Sequence, residues 1–342
     1  MRSVVVDKIA SVTQACGLGH ELRISADIPC EEGVVIVVEV LTNKSTYNTL
    51  ELTSGRMAKV SKGDVVVGAL GHRKALFGYS GHVPESVKPG DVIQVLNIGG
   101  VLGVVLQFPY LGERIGVPAR IGQRPLDLEA PLDTQGVPVV ALAGTCMEAG
   151  KTAAACAIIA RMRHRGLAVH AFKATGVSLR RDILAMEDAG ARKTMIFTDF
   201  GVGTTTARVG PALTRAMLTE MAQGHPDIIV FELGDGLLGT YGVEAILASP
   251  DIRNAISVLV LSANDPVAAW GGVKLLREKF GIEPAVVTGP ATDNQVGVDI
   301  IAEQMRVAAA NAITSGGELG DKVIAAAGLA ERFPVKPAAE SE

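Results

Sequence analysis

The residues from Gly144 to Thr152 combine small side chains with a lysine and a hydroxyl at close spacing. They read GTCMEAGKT and stand between the apolar run VPVVALA and the alanine-rich stretch AAACAIIA. A strand, a loop ending in Gly-Lys-Thr and a helix are the parts of a phosphate-binding loop. Loop amides and the positive end of the helix then face the anion. Five residues rather than the usual four separate Gly144 from Gly150, but the order of the parts predicts nucleotide binding.

Each polar residue of this loop has a predicted part in binding. We expect Lys151 to reach the outer phosphates and the Thr152 hydroxyl to bind Mg²⁺. Glu148 is an acid beside the phosphates, so it either turns to solvent or belongs to the shell of the metal. The remaining predicted nucleotide-binding residues of the loop are Gly144, Thr145, Ala149 and Gly150.

Further along the chain, polar residues follow two apolar runs. AVHAF ends in Lys173, which could neutralise a transferring phosphoryl group or an anionic substrate. The run PDIIVF ends in Glu232, followed by Leu233-Gly234-Asp235-Gly236. A carboxylate at the end of such a strand holds Mg²⁺ or its water in many nucleotide-binding proteins. Glu232 or Asp235 could fill this role, and we favour Glu232.

Three other groups have open interpretations. Asp182 is either a favourable charge at a helix N-terminus or a ligand of Mg²⁺, with Arg180 or Arg181 as a substrate clamp. The segment from Asp199 to Thr206 either lines a substrate pocket or forms a plain loop. A third group ends a predicted strand and is either the resting place of an adenine ring or a plain turn from strand to loop: Thr288, Gly289 and Pro290.

The two halves of the chain differ in their patterns. Residues 1–110 carry short β-branched runs and glycine turns, which predict a small β-rich domain, a barrel or a sandwich. Residues 111–136, with three prolines, predict a connector, and residues 331–342 a loose tail. From 137 to 330, strands alternate with helices, including a helix predicted over 296–313. This alternation predicts an α/β domain, a parallel sheet with helices on both faces and a ligand site at the carboxyl ends of its strands.

The composition excludes several classes of protein. A chain of 342 residues with 48% hydrophobic residues forms roughly two packed domains. A net charge of −4 without a basic run argues against a nucleic-acid partner. No apolar run reaches the length of a membrane span, the amino terminus lacks a secretion signal, and the four cysteines form no CxxC pair. We expect a soluble cytoplasmic protein with no membrane partner.

The loop GTCMEAGKT resembles the GTDTEVGKT-type loop of dethiobiotin synthetase, including its five-residue gap and its acid. Lys173, the stretch RDILAM and the sequence ELGDG stand in the order of that family's later motifs. The resemblance implies a P-loop fold that binds ATP and Mg²⁺, with Lys151 and Lys173 on phosphate or substrate. It implies that the residues around Mg²⁺ are Glu148, Thr152, Asp182 and Glu232.

The resemblance covers about residues 137–300 and departs from the family at the substrate side. The family's Lys-Pro-Val-Ala-Ser-Gly is shortened here to Lys-Ala-Thr-Gly, so Thr175 is only a loose counterpart of its substrate-holding serine, and Cys146 replaces an acid. The biotin-pathway substrate is therefore not carried over. The phrases FKATG and DIIVFELGDGLLGTYGVEAIL also resemble a P-loop group that includes proposed D-glutamate N-acetyltransferases.

These patterns predict an ATP- and Mg²⁺-dependent enzyme, a phosphoryl transferase or ligase that activates a small anionic substrate such as a carboxylate or carbamate. The predicted substrate residues are Thr175, Arg180, Arg181, Gly234 and Asp235. We expect a homodimer. The alternative is a nucleotide-dependent switch or maturation factor that acts on a protein partner. A polynucleotide kinase is a third interpretation, against which the acidic balance counts.

Overall fold

A computed structural model describes residues 2–43, 48–74, 80–103, 121–122 and 124–335. The chain divides into two compact units, the first comprising Met1–Leu126, Gly176–Asp182 and Ile196–Thr206. The second unit comprises Asp127–Thr175, Ile183–Met195 and Ala207–Glu342. Residues 111–120 and 123 of the predicted connector lie outside the described residues, as do residues 336–342 of the predicted tail.

The first unit is rich in short strands. Its largest sheet has five strands, in which β4 pairs antiparallel with β7 while β2 and β11 pair parallel with it. Valine and isoleucine side chains from β4 and β7 form the centre of its core. The strands are β1 (Arg2–Val5), β2 (Lys8–Ile9), β3 (Glu21–Ile24), β4 (Val35–Glu39), β5 (Thr49–Glu51), β6 (Met57–Lys59), β7 (Val65–Leu70), β8 (Arg73–Lys74), β9 (Ser80–Gly81), β10 (Gln94–Val95) and β11 (Val101–Gly103). A 3₁₀ helix spans Ser11–Cys16.

Two segments from the second half of the sequence belong to this first unit. Gly176–Asp182 and Ile196–Thr206 bond to each other, since Ser178 N donates to Gly203 O at 2.9 Å and Thr205 N to Gly176 O at 3.0 Å. Both segments also bond to the β-rich residues: Asn97 Nδ2 donates to Ser178 O at 2.6 Å, and Thr204 N donates to Glu32 Oε1 at 3.0 Å. The first unit is therefore not continuous in sequence.

The second unit is built on a seven-stranded sheet of order β14-β13-β15-β12-β16-β17-β18. Its strands are β12 (Val139–Gly144), β13 (Val169–Lys173), β14 (Lys193–Ile196), β15 (Ile228–Glu232), β16 (Ile256–Ser262), β17 (Val286–Thr288) and β18 (Ala308–Ala309). The pairs that β12 makes with β15 and β16 are parallel, as are the next pairs outward. The chain crosses to either side of β12, which makes its carboxyl end the point where ligands bind in such sheets.

Helices pack on both faces of this sheet, as predicted. Its helices are α1 (Lys151–His164), α2 (Arg181–Asp188), α3 (Gly210–Ala222), α4 (Val243–Ala248), α5 (Pro250–Ala255), α6 (Pro266–Leu275), α7 (Gln295–Ile300) and α8 (Gly316–Ala326). Alternate strand residues such as Val140 and Val230 share one core with α1 and α8. On the opposite face, His170 bonds to the carbonyl of Met221 in α3 at 2.7 Å. Strand side chains two residues apart share a face, so each strand serves both cores.

The helix predicted over 296–313 is wrong beyond residue 305. A π-helical turn over Ile301–Met305 ends α7, and Arg306 adopts the left-handed conformation with φ of 57°. Ala308 and Ala309 then form β18 beside β17. The alanine-rich pattern favours a helix locally, but pairing with the edge of the sheet decides the conformation. Helices α4, α5 and α8 were not predicted.

Candidate functional site

The loop between β12 and α1 wraps around its own lysine. Lys151 is only 6% exposed, and its Nζ donates to the carbonyl of Cys146 at 2.7 Å. A Cβ on Gly144 would lie 2.8–3.1 Å from three atoms of the Lys151 side chain. Glycine at this position therefore makes room for the lysine. Gly150 has φ of 89° and begins the helix, so a left-handed residue completes the turn.

Charges of both signs act on the Lys151 ammonium. Burial lowers its pKa, because the charged form loses water. The carboxylate of Glu232 opposes this effect and the ammonium of Lys173 adds to it. Lys151 thus lies inside the protein with its charge balanced by Glu232, which ends β15, while Lys173, which ends β13, repels it.

Thr152 is tied directly to Glu232. Its Oγ1 donates to Glu232 Oε2 at 2.9 Å, while Lys173 Nζ lies 4.0 Å from Glu232 Oε1. Glu232 is 2% exposed, so this carboxylate works in a medium of low dielectric. A hydroxyl and a carboxylate are the hard oxygen ligands that Mg²⁺ takes, with water and phosphate completing its shell. The residues present therefore fit a magnesium ion.

The loop after β15 lies against the phosphate-binding loop. A Cβ on Gly236 would lie 2.7 Å from the carbonyl oxygen of Thr145. The carbonyl of Gly234 accepts a hydrogen bond from Thr175 Oγ1 at 2.9 Å. The substrate roles assigned to Gly234 and Thr175 stay predictions, and the hydroxyl proton of Thr175 is already committed.

Asp235, the third predicted substrate residue of the second unit, is a buried acid in a left-handed conformation with φ of 76°. Within the described part of the chain, neither of its carboxylate oxygens has a partner in hydrogen-bonding geometry. Burial raises its pKa, and the nearby amides of Gly236 and Thr240 and the charge of Lys151 oppose this. Its negative charge therefore belongs to the same cluster as Lys151.

Strand β17, which β16 separates from β12, also ends beside the loop. Gly289 packs so closely on the loop that an added Cβ would lie 2.4 Å from the carbonyl oxygen of Ala149. Pro290 follows, with its Cδ within 3.8 Å of an added Cβ on Gly150. Thr288, Gly289 and Pro290 are thus next to the phosphate-binding loop, where the sequence predicts an adenine site.

The cluster also contains Ser262 and Asn264, for which the sequence predicts no role in the site. Ser262 ends β16 in register with Thr288, and among the described residues both hydroxyl oxygens are buried without a partner. Asn264 Nδ2 lies 3.1 Å from Cys146 Sγ. The signal for Ser262 was available, since it ends an apolar strand as Thr288 does. Nothing in the sequence pointed to the contact of Asn264.

Glu148 lies apart from the other acids of the site. It is exposed, with φ of 59°, at the tip of the loop. This placement agrees with the solvent-facing interpretation, and its role in nucleotide binding stays a prediction. In the described ranges, no group of three or more His, Cys, Asp or Glu side chains could hold a metal ion.

The remaining predicted residues belong to the first unit. Arg180 Nη1 donates to Gln14 Oε1 at 3.0 Å. Arg181 is more than half exposed and its Nε lies 3.8 Å from Asp182 Oδ1. Asp182 is 9% exposed and lies in the first turn of α2. Their roles as substrate clamp and magnesium ligand stay predictions.

No helix in the described ranges has both the length and the apolar character needed to cross a membrane.

Comparisons with known proteins found partial likenesses in structure alone. No family model and no curated protein matches the sequence. The signal recognition particle receptor FtsY from Elizabethkingia anophelis has a TM-score of 0.40 at 14% identity, over 57% of this chain and 68% of that chain. A DUF1611 family protein from Anabaena variabilis ATCC 29413 has a TM-score of 0.42 at 15% identity, over 61% of this chain and 63% of that chain.

A third similar structure is the signal recognition particle 54 kDa protein from Aeropyrum pernix K1 in complex with GDP. Its TM-score is 0.39 at 16% identity, and the match covers 62% of this chain and 52% of that chain. At these scores the likeness assigns no family, substrate or partner. The parallel sheet, its strand order and the loop at the end of β12 themselves define the second unit as a P-loop NTPase-type fold.

Proposed function

We propose that this protein is an ATP- and Mg²⁺-dependent enzyme that transfers the γ-phosphoryl group to a small anionic substrate. The observation that carries the proposal is the cluster of Thr152, Glu232, Lys173 and Lys151 at the ends of three parallel strands. A hydroxyl and a carboxylate for a cation lie there beside two ammonium groups for phosphate oxygens. Positioning and neutralisation of charge are the main demands of phosphoryl transfer.

Each residue has a separate task in this proposal. Lys151 leaves the Cys146 carbonyl and binds the outer phosphates, while the loop amides bind the inner ones. Thr152 and Glu232 hold Mg²⁺, directly or through water. Lys173 stabilises the charge that develops as the phosphoryl group moves to the acceptor oxygen. An acceptor that is already a carboxylate or carbamate needs no strong general base, which agrees with the lack of histidine in this cluster of the described structure.

A nucleotide-dependent switch is a second candidate, and one observation favours it. The segments that follow β13 and β14 belong to the unit of the β-rich half rather than to the sheet unit. A change at the nucleotide could then reach the β-rich half through these two segments. In this case the protein acts on a protein partner, and ATP hydrolysis serves to reset it.

The test begins with calorimetry of purified protein against ATP, GTP and their diphosphates with and without Mg²⁺. We expect tight binding of a nucleoside triphosphate that requires Lys151. Lys151→Ala should weaken binding by about tenfold to a hundredfold, because it removes charge-assisted hydrogen bonds to phosphate. The matched control is Lys274→Ala, which removes an exposed lysine of α6 paired with Glu278.

The two candidate functions then separate in a hydrolysis assay. Small carboxylates and amines are screened for acceleration of ATP hydrolysis, beside a fractionated protein extract. Acceleration by a small molecule, with a phosphorylated or condensed product, supports the enzyme. Acceleration only by a protein fraction favours the switch. Equal nucleotide binding by the wild type and Lys151→Ala would overturn both.

A further inference from the structure

The second unit contains a cavity of about 380 Å³ at the end of α1 that lies away from the phosphate-binding loop. Arg163, in the last turn of α1, and Leu167, just after that helix, line one side. Gly190, Ala191 and Arg192, between α2 and β14, line the other. All of the lining residues belong to the second unit. Ligand pockets span roughly 300–1,000 Å³, so this volume suits a small molecule.

Arg163 takes no part in the ion pairs of its neighbours. Arg161 and Arg165 both bond to Asp321 on α8, whereas the guanidinium of Arg163 has no hydrogen bond and no ion pair within the described part of the chain. The Arg163 side chain lies against Gly190, where an added Cβ would be 2.2 Å from its Cδ. Glycine at this position therefore makes room for the arginine beside the cavity.

The second arginine comes from a different element. The backbone N–H of Arg192 donates to Val169 O at 2.8 Å, which fixes the residue at the start of β14. Like Arg163, its side chain is exposed to solvent and makes no hydrogen bond or ion pair with any residue that the structure describes. Glu187 also lines the cavity, but it accepts the hydroxyl of Thr194 and pairs with neither arginine. Two guanidinium groups thus lie at one cavity without a paired counter-charge.

The backbone amides at the helix ends beside the cavity are already bonded, so the arginine side chains are the available donors. Gly166 N donates to Arg163 O at 2.9 Å and Gly190 N donates to Glu187 O at 2.8 Å, just after α1 and α2. The carboxyl end of a helix also favours a nearby cation. This effect accounts for Arg163, in the last turn of α1, but Arg192 belongs to neither helix.

We propose that Arg163 and Arg192 form a binding site for a small oxyanion, a molecule that carries a phosphate or carboxylate group. A guanidinium offers two parallel N–H donors, which match the oxygens of either group. Exposed side chains at a cavity can reach such a ligand without displacing a protein partner. The buried residues Leu167 and Ala191 leave a short apolar surface beside it, which suits a compact ligand.

This site is separate from the site of the proposed reaction. Helix α1 has 14 residues and begins at Lys151, and at 1.5 Å per residue it spans roughly 20 Å. An anion bound at the far end of α1 is therefore not the acceptor of the phosphoryl group. The site adds a second ligand to the one that the phosphate-binding loop would hold.

The experiment titrates inorganic phosphate and succinate by calorimetry into the full chain carrying Lys151→Ala, which weakens anion binding at the loop. At about 0.15 M salt, we expect one anion to bind per chain. Arg163→Gln and Arg192→Gln, each added to Lys151→Ala, should weaken this binding about tenfold, because each removes charge-assisted hydrogen bonds. Arg208→Gln is the matched control, since it removes an exposed arginine of the same unit that does not line the cavity.

NMR of the arginine side chains locates the bound anion. The Nε–H signals of Arg163 and Arg192 should shift during the titration, while that of Arg208 should not. Tighter binding of phosphate would identify the ligand as a phosphate compound, and tighter binding of succinate would identify a carboxylate.

Three results would overturn the proposal: no binding of either anion, equal binding in both arginine variants, or an equal loss in Arg208→Gln. Anion binding that needs Lys151 would also overturn it but would leave the proposed function intact. Wild-type protein that binds no nucleotide would instead overturn the proposed function, and phosphate or succinate would still report on the two arginines.

Discussion

At the end of β15, the carboxylate of Glu232 interacts with both a hydroxyl group and an ammonium group. Glu232 accepts from Thr152 and faces Lys173, with 2% of its surface exposed. A buried carboxylate of this kind is stable only while its partners remain. Its charge also offsets the cost of burying Lys151. Removing the charge of Glu232 should therefore change both the binding of the metal and the electrostatic environment of Lys151 and Lys173.

The first prediction concerns Glu232→Gln. The amide keeps the shape and one acceptor oxygen but loses the negative charge, so the affinity for Mg²⁺ should fall about tenfold or more. A Mg²⁺ titration of ATP binding measures this. Glu220→Gln is the control, because Glu220 also pairs with a lysine, Lys193 at 3.2 Å, but outside the site. The same half-saturating Mg²⁺ concentration in the wild type, Glu232→Gln and Glu220→Gln would contradict the role of Glu232.

A second prediction separates backbone strain from loop geometry by comparing Gly289→Ala with Gly328→Ala. Both glycines have positive φ, 89° and 72°, but an added Cβ meets nothing within 4 Å at Gly328. Gly328→Ala should cost about 1 kcal/mol of unfolding free energy because of its positive φ. Gly289→Ala should cost more, because its φ of 89° with ψ of −169° is a conformation that suits glycine alone and its Cβ would meet backbone atoms. Only Gly289→Ala should also weaken ATP binding, since its Cβ displaces the carbonyl of Ala149. Urea unfolding and calorimetry measure the two effects, and equal ATP affinity in both variants would be the contrary result.

At the scale of elements, an acid on α8 binds an arginine of α1 and the arginine that directly follows this helix. Asp321 accepts two hydrogen bonds from Arg161, at 2.8 and 2.7 Å, and one from Arg165 at 2.9 Å. The hydrogen bonds from Arg161, more than the charge of Arg165, hold the pKa of Asp321 below its usual range. Because α1 begins with the phosphate-binding loop, this network fastens the helix that carries Lys151 and Thr152.

The third prediction is a loss of stability in Asp321→Asn that depends on pH. A carboxyl with a lowered pKa stabilises the fold above the pKa of the unfolded chain, near 4, and this contribution disappears as the pH falls through the folded pKa. Asp321 is about one-third exposed, so solvent screens the pairs and we expect about 1 kcal/mol at pH 7. Urea unfolding at pH 7 and pH 3 tests this. Glu318→Gln, which breaks an exposed pair on the same helix, should change little.

The elements show where sequence reasoning succeeds and where it fails. The strand, loop and helix around Gly150 were predictable because each signal is local: an apolar run, a Gly-Lys-Thr and an alanine-rich helix. The end of α7 was not predictable. Ala308 and Ala309 fit the helical pattern of the sequence, but they form a strand because they pair with β17. The hydrogen bond from the backbone N–H of Arg180 to Glu51 joins residues 129 positions apart, and no spacing rule indicates such a contact.

For the molecule as a whole, the division into units differs from the division of the sequence. Residues 176–182 and 196–206 lie among the strands and helices of the sheet unit in sequence, but they bond with the β-rich half. Contacts between residues far apart in the sequence place these two segments in the first unit, and the composition of the segments does not indicate such contacts. The β-rich half thus holds two segments of the other half of the chain.

The fourth prediction is that a chain beginning at Asp127 loses order in both segments. The seven-stranded sheet has its own core, so we expect it to fold. The amide of Thr204 should exchange much faster than in the full chain, because its acceptor Glu32 is gone. The amide of Ser178 keeps its acceptor Gly203, but it should also exchange faster, because the segment loses the bond from Asn97 to the Ser178 carbonyl. Exchange measured by peptide mass across both chains provides the test, with the α1 amides as internal reference. Equal protection of both segments would show that the β-rich half does not hold them.

One feature of the site determines what kind of atom it can accept. Thr152 has a single hydroxyl proton, and that proton points at Glu232. Toward any ligand the oxygen can therefore present lone pairs alone, which attract cations and repel phosphate oxygens. Serine at this position should preserve this polarity, and valine should abolish it. The direction of one O–H bond thus makes this threonine attract a metal ion and repel an anion.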